Sequence, residues 1–280
     1  MARKERQGRA MQTWLARGLV VFGLLGLAGC ETVQTTQSGV VGVDRKQTFT
    51  VSSDQVNSSA VQAYGAVLKE AQSKGQLNRD AAQLQRVRAI AARLVPATAV
   101  FRQDAPGWKW EVNVISSNEV NAWCMPGGKI VVYTGLIQQL GLSDDELAAV
   151  MGHEIAHALR EHSREQVSQQ MTQGLALQVG AAILGVGQLG QQVAQTLLDV
   201  TLNLPHSRTD ETEADRIGVE LAARAGHDPR AAVNLWQKME KLGGGRQPQW
   251  LSTHPDPANR LRDLQDYSQR VLPLYQQVKR

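Results

Sequence analysis

His153 and His157 stand four residues apart in a run whose apolar residues, Leu147, Val150, Met151, Ile155, Ala158 and Leu159, recur at helical spacing. Ser143-Asp144-Asp145-Glu146 ahead of that run forms a capping box that opens the helix. On one helix face two imidazoles four apart have Cβ atoms about 5–6 Å from each other. That suits a shared Zn²⁺ at about 2.0–2.1 Å from each ring nitrogen. Glu154 follows the first histidine and projects near the ion without being needed as a ligand. There it can take a proton from water held by the ion. Composition alone yields this pattern about 0.006 times in such a chain, so two incidental histidines are a poor account of it. A third ligand has to come from elsewhere in the fold.

Glu211-Thr212-Glu213-Ala214-Asp215 opens a second helix and supplies one. Glu211 and Asp215 are four apart on one face. Glu211 is read as the third metal ligand and Asp215 as the group behind it that orients a ligand. Acidic residues also favour a helix's first turn for electrostatic reasons alone. The cluster therefore carries weight only because a histidine pair precedes it, and Glu213 and Asp210 remain alternative ligands.

The rest of the chain reads as α+β and mainly helical. Helices are expected at about 54–73, 79–94, 207–225, 229–242 and 257–271, the last stopping before Pro273. Residues 108–115 alternate as a strand, and 120–125 and 129–133 flank Pro126-Gly127-Gly128 as a hairpin. A small antiparallel sheet beside the metal-binding helix is the expected arrangement. Segment 175–187 is apolar but short, which favours a buried or surface-lying helix over a membrane span.

Of the formal charge of +4, all sits in residues 1–30, where Arg3, Lys4, Arg6, Arg9 and Arg17 oppose only Glu5. The remaining body is neutral, which gives no electrostatic case for nucleic acid. Those first residues run from a basic stretch through an apolar one at 18–29 to Leu27-Ala28-Gly29-Cys30. This is the build of a signal peptide ending at a lipidated cysteine. The division expected is a lipoprotein signal peptide at 1–29, a flexible tether at 30–53 with one short strand near 48–51, and a catalytic domain at 54–280. With Cys30 acylated, Cys124 has no partner for a disulfide. It is read as a buried small hydrophobe before an inhibitory metal contact.

Four ordered motifs now resemble a known family: His-Glu-Ile-Ala-His at 153–157; Glu211 to Asp215 continuing as Arg216-Ile217-Gly218; Asn-Ala-Trp-Cys-Met-Pro-Gly-Gly-Lys-Ile at 121–130; and Ser-Thr-His-Pro at 252–255. Together they look like metallopeptidase family 48, the HtpX and CAAX-prenyl-protease group, in its soluble lipoprotein-type bacterial branch. The resemblance runs from about residue 45 to 270. It implies a zincin-like, gluzincin domain with one Zn²⁺ per chain, His153, His157 and Glu211 as ligands and Glu154 as general base. His254 is then a catalytic candidate, either closing the metal site or donating to the developing oxyanion. His162, His206 and His227 are read as structural or exposed. Arg208 is open to pairing with a carboxylate or a substrate carbonyl. Strand 129–133 could offer its edge to an extended polypeptide.

The function expected is a zinc metalloendopeptidase acting in quality control on misfolded or unassembled envelope proteins. The partners are unfolded polypeptides and, through Cys30, the membrane. Glu31 after Cys30 favours the outer membrane facing the periplasm. The alternative is a lipid-anchored chaperone-like binder of unfolded periplasmic or outer-membrane proteins that cleaves little or not at all. A zinc-stabilised structural lipoprotein would instead need a closed, four-ligand site.

Overall fold

In a computed structural model of the chain, the described residues are 31–177, 186–242, 248–257 and 259–279. Residues 1–30, with the expected signal peptide and Cys30, lie outside them, as do residues 178–185 of the apolar segment.

Two helices carry the site. The first, α4 (Asp144–Leu159), starts at the expected capping box: the Ser143 hydroxyl accepts from the Glu146 N–H at 3.2 Å, and the Glu146 carboxylate accepts from the Ser143 N–H at 2.8 Å. Every residue from Glu146 to Leu159 is buried, so α4 runs through the middle of the molecule. The second, α7 (Arg208–Arg224), is capped in the same way by Ser207 and Asp210. The two cross at glycines. A Cβ on Gly218 would stand 2.7 Å from the His153 nitrogen, and one on Gly152 would stand 2.8 Å from the Gly218 carbonyl oxygen. Only paired glycines let the backbones meet this closely, and the meeting point lies next to His153.

Beside α4 lies a three-stranded sheet of β3 (Glu111–Ile115), β4 (Ala122–Met125) and β5 (Lys129–Tyr133), in the order β3-β5-β4. The expected hairpin is present, with Trp123 opposite Val131 and a turn through Gly127 and Gly128 at positive φ. The sheet is not wholly antiparallel, however, because β3 pairs with β5 in parallel, Val114 opposite Val132. Strand β3 also begins three residues later than the alternation suggests. Trp108 and Trp110 stack on each other with centroids 5.5 Å apart, and the Trp110 ring occupies the space over Gly128. Their spacing serves ring packing, not the ladder.

One face of the sheet (Val114, Ala122, Cys124, Ile130, Val132) joins the main core with α4 and with α2 (Ala81–Ala97). The other face (Ile115, Trp123, Met125, Val131, Tyr133) packs on α1 (Ser53–Ser73) and α6 (Val186–Leu202). Around these stand α3 (Thr134–Gln139), α5 (His162–Leu177), α8 (Ala231–Leu242), α9 (Gln249–Thr253) and α10 (Arg260–Val278). Helix α10 continues through Pro273 instead of stopping before it. The carbonyl that this proline leaves unpaired belongs to Gln269, on the exposed side, where water can take the place of the missing N–H. Among the described residues no helix is long and apolar enough to cross a membrane.

Segment 31–53 is not a free tether. Strands β1 (Glu31–Val33) and β2 (Gln47–Phe49) pair antiparallel, and Val41, Val43, Phe49 and Val51 are buried. The Val40 and Val41 N–H groups both donate to the Glu220 carboxylate. Its composition is that of a linker, but a few apolar residues and one arginine weld it to the domain.

Candidate metal centre

Helix α4 presents His153 and His157 toward Glu211 on α7, as the spacing suggests. Their Nε2 atoms lie 3.0 Å apart. Glu211 Oε1 is 3.3 Å from His157 Nε2, and Glu211 Oε2 is 3.6 Å from His153 Nε2. His254, at the end of α9, brings a fourth donor, and all four ligand atoms lie within 4.8 Å of one another on buried residues.

The hydrogen bonds around these rings fix what their inner nitrogens offer. His153 Nδ1 is 3.0 Å from Asp215 Oδ1, a carboxylate that only accepts, so the ring donates there. His254 Nδ1 lies 2.9 Å from the Trp250 carbonyl oxygen and donates likewise. For His157 the chain has two links: His162 Nε2 donates to Glu213 Oε2 at 3.1 Å, which leaves His162 Nδ1 to accept from His157 Nδ1 at 2.9 Å. Each of the three rings therefore turns a bare lone pair inward. Glu211 Oε1 and His254 Nε2 are buried with no hydrogen-bond partner. Converging lone pairs and an orphaned carboxylate oxygen repel one another unless a cation stands between them. Three imidazoles and a carboxylate are the donors that Zn²⁺ takes, so the residues fit the ion.

The electrostatics point the same way. Burial, with the neighbouring imidazoles, holds His157 and His254 well below the ordinary histidine value. Burial also opposes a charge on His153, but the Asp215 hydrogen bond and the Glu211 charge outweigh it and raise that ring, so a proton is the alternative occupant of its Nε2. Burial pushes Glu154 up to about 7 against the pull of His153 and Trp250. The Trp250 indole N–H donates to Glu154 Oε1 at 2.7 Å, and His254 Nε2 is 3.5 Å from the same oxygen.

Asp215 stands behind His153, as expected. Glu213 and Asp210 do not reach the centre; they belong to a separate cluster with His162. Arg208 is exposed and pairs with no carboxylate among the described residues. The cation that does pair there is Arg260, which donates to Asp215 Oδ2 and to Glu211 Oε2, both at 2.6 Å. Sequence reasoning missed it, although an arginine in the first turn of a helix is electrostatically misplaced unless a carboxylate meets it. His162 and His206 are not bystanders either. His162 supports His157, and the buried His206 ring lies 4.2 Å from the His157 ring with its Nδ1 unpartnered. His227 stands apart, bonded to Asp145 at 2.9 Å. Cys124 is buried in the core, outside the metal-ligand group, and burial pushes its thiol well up. Strand 129–133 offers no edge, because β5 is the central strand; β4 is an edge strand of the sheet, and its four residues are buried.

Residues 81–268 match the family model described as Peptidase family M48. The chain belongs to Peptidase family M48. It is similar to the mitochondrial metalloendopeptidase OMA1 of Arabidopsis thaliana, 39% identical over 175 residues, which are 62% of this chain and 35% of that protein. It is also similar to two proteins of Escherichia coli (strain K12). Metalloprotease LoiP is 28% identical over 243 residues, 86% of this chain and 91% of that one. Metalloprotease YcaL is 26% identical over 230 residues, 79% of this chain and 90% of that one. The chain spans from 34% to 50% of the length of the OMA1 relatives it matches. Peptidase family M48 groups metal-dependent peptidases, and its match takes in the whole centre from His153 to Arg260.

Proposed function

We propose that this M48 member is a zinc-dependent endopeptidase of the cell envelope. Its substrates are extended segments of misfolded or unassembled proteins. It is anchored through a lipidated Cys30 at the periplasmic face of the outer membrane. The anchor and location rest on the leader sequence. The chemistry rests above all on the inward-facing lone pairs of His153 and His157, 3.0 Å apart, with Glu211 beside them.

His153, His157 and Glu211 would hold the ion. When bound, zinc acidifies water and polarises a carbonyl. Arg260 engages Glu211 and Asp215 but not Glu154. Near pH 7 its carboxyl can hold a proton at Oε1 or Oε2 and release it to the departing amide nitrogen. The Trp250 N–H fixes which way that carboxylate turns. Asp215 and Arg260 orient His153 and Glu211. An extended substrate would be held through its backbone groups, which tolerates many sequences.

One observation favours a protein that does not cleave, whether a zinc-stabilised structural lipoprotein or a chaperone-like binder: His254 supplies a fourth donor, as in closed zinc sites. A digest separates the two. The full chain, incubated with casein or an unfolded outer-membrane barrel protein, is expected to cleave it, stop with chelator and resume with added zinc. Glu154→Gln is expected to keep zinc and lose about 10²–10⁴-fold in rate. Capture of the unfolded protein without cleavage, by a zinc-loaded chain, would establish the binder. Undiminished turnover by a folded Glu154→Gln chain would remove Glu154 from its role.

A further inference from the structure

His162, Asp210 and Glu213 also bring ligand-type atoms together, but guanidinium groups already occupy the space where a second ion would sit. Arg45 donates through Nε to Glu213 Oε1 at 2.7 Å, through Nη2 to Asp210 at 2.8 Å and through Nη1 to Glu165 at 2.7 Å. The fully buried Arg160 donates through Nε to Glu213 Oε2 at 2.9 Å and through Nη2 to the Arg45 carbonyl at 2.9 Å. Gln47, also fully buried, adds a bond to Glu165 at 2.6 Å. The cluster is a clamp between the N-terminal strap (residues 31–51) and helices α5 and α7.

That clamp reaches the metal centre. Glu213 Oε2 accepts from His162 Nε2, and His162 Nδ1 meets His157 Nδ1. We propose that Arg45, which lies outside the family match, is a positioning residue for the metal centre: with Arg160, which holds Oε2, it fixes Glu213 and so keeps His162 in the orientation that aims His157 Nε2 at the ion. This rests on the reading of His157 as a ligand. Three carboxylates on two helices share one planar, multiply donating guanidinium, which a point-charge ammonium cannot imitate. If Glu213 were free to turn, His162 could flip, and His157 would lose the acceptor that keeps its proton on Nδ1.

The test is zinc affinity of the full chain, measured by competition with a chromophoric chelator. Arg45→Gln and His162→Phe are each expected to weaken zinc about 10- to 100-fold. The double variant should be no weaker than the worse single, because both act on one path. Arg45→Lys should recover part of the loss, and the visible spectrum of the cobalt-loaded chain should change in Arg45→Gln. Arg86→Gln, which breaks a pair with Asp144 on the surface, should leave affinity unchanged. Wild-type affinity in a folded Arg45→Gln chain, or losses that add in the double variant, overturns the proposal. If Arg45→Gln does not fold, the same cycle with Arg45→Lys decides by the same additivity criterion. A wild-type chain that takes up no zinc sinks the metal-centre reading instead.

Discussion

Glu211 and Glu213 are two residues apart, carry the same side chain, and do different things. Glu211 is wholly enclosed between two imidazoles and Arg260, with one oxygen unpartnered. Glu213 faces the opposite way, toward two arginines, which with His162 bring its carboxyl down to about 2 despite the burial that would raise it. Glu211→Gln removes a ligand charge outright, so the variant should lose zinc to a chelator far more readily than Glu213→Gln, whose influence passes through two intervening rings. Metal content after dialysis against chelator measures both, and the reverse order would move the third ligand. At this scale His153, His157, Glu211 and Asp215 were legible because each pair lies four apart on one helix. Arg260, Trp250, His162 and His206 were not, because each acts across a contact between elements and leaves no spacing to read.

Helix starts were legible for a related reason. The caps at Ser143 and Ser207 are local hydrogen bonds written in three or four consecutive residues. The hairpin was legible through its Pro-Gly-Gly turn. The parallel partnership of β3 with β5 was not, since a strand's alternation records which face is buried but not which neighbour it meets. What places α4 against α7 is the glycine crossing, and it makes a sharp prediction. Gly218→Ala puts a methyl group within van der Waals overlap of the His153 backbone, which no rotamer change relieves. The variant should lose about 1–3 kcal/mol of stability, as overpacked cores do, and release zinc faster as the ligand-bearing helices separate. Thermal melting with and without zinc reads both effects; an unchanged melting point would mean that the glycine crossing does not hold the two helices together.

For the whole molecule, the largest departure from expectation is the strap. Its Thr, Gln, Ser and Gly content hid the burial, because its anchors are scattered: Val41, Val43 and Phe49 in the core, and Arg45 among carboxylates. Fully burying a side chain such as those of Val or Phe is worth about 1.5–3 kcal/mol, so three of them rival a typical total stability of about 5–15 kcal/mol. A chain beginning at Ser53 should therefore fail to fold cooperatively, seen as lost protection in amide exchange and a broad melt. A sharp, wild-type-like melt from that truncation would restore the tether.

Two of the inward-turned rings are aimed from another element, His153 by Asp215 on α7 and His157 by His162 on α5, while His254 is turned by the Trp250 carbonyl of its own helix. The two histidines of α4 are thus set only where two separate dockings coincide. Should either docking slacken, the ring it aims is free to swivel, and loss of zinc is expected ahead of the melting of the core.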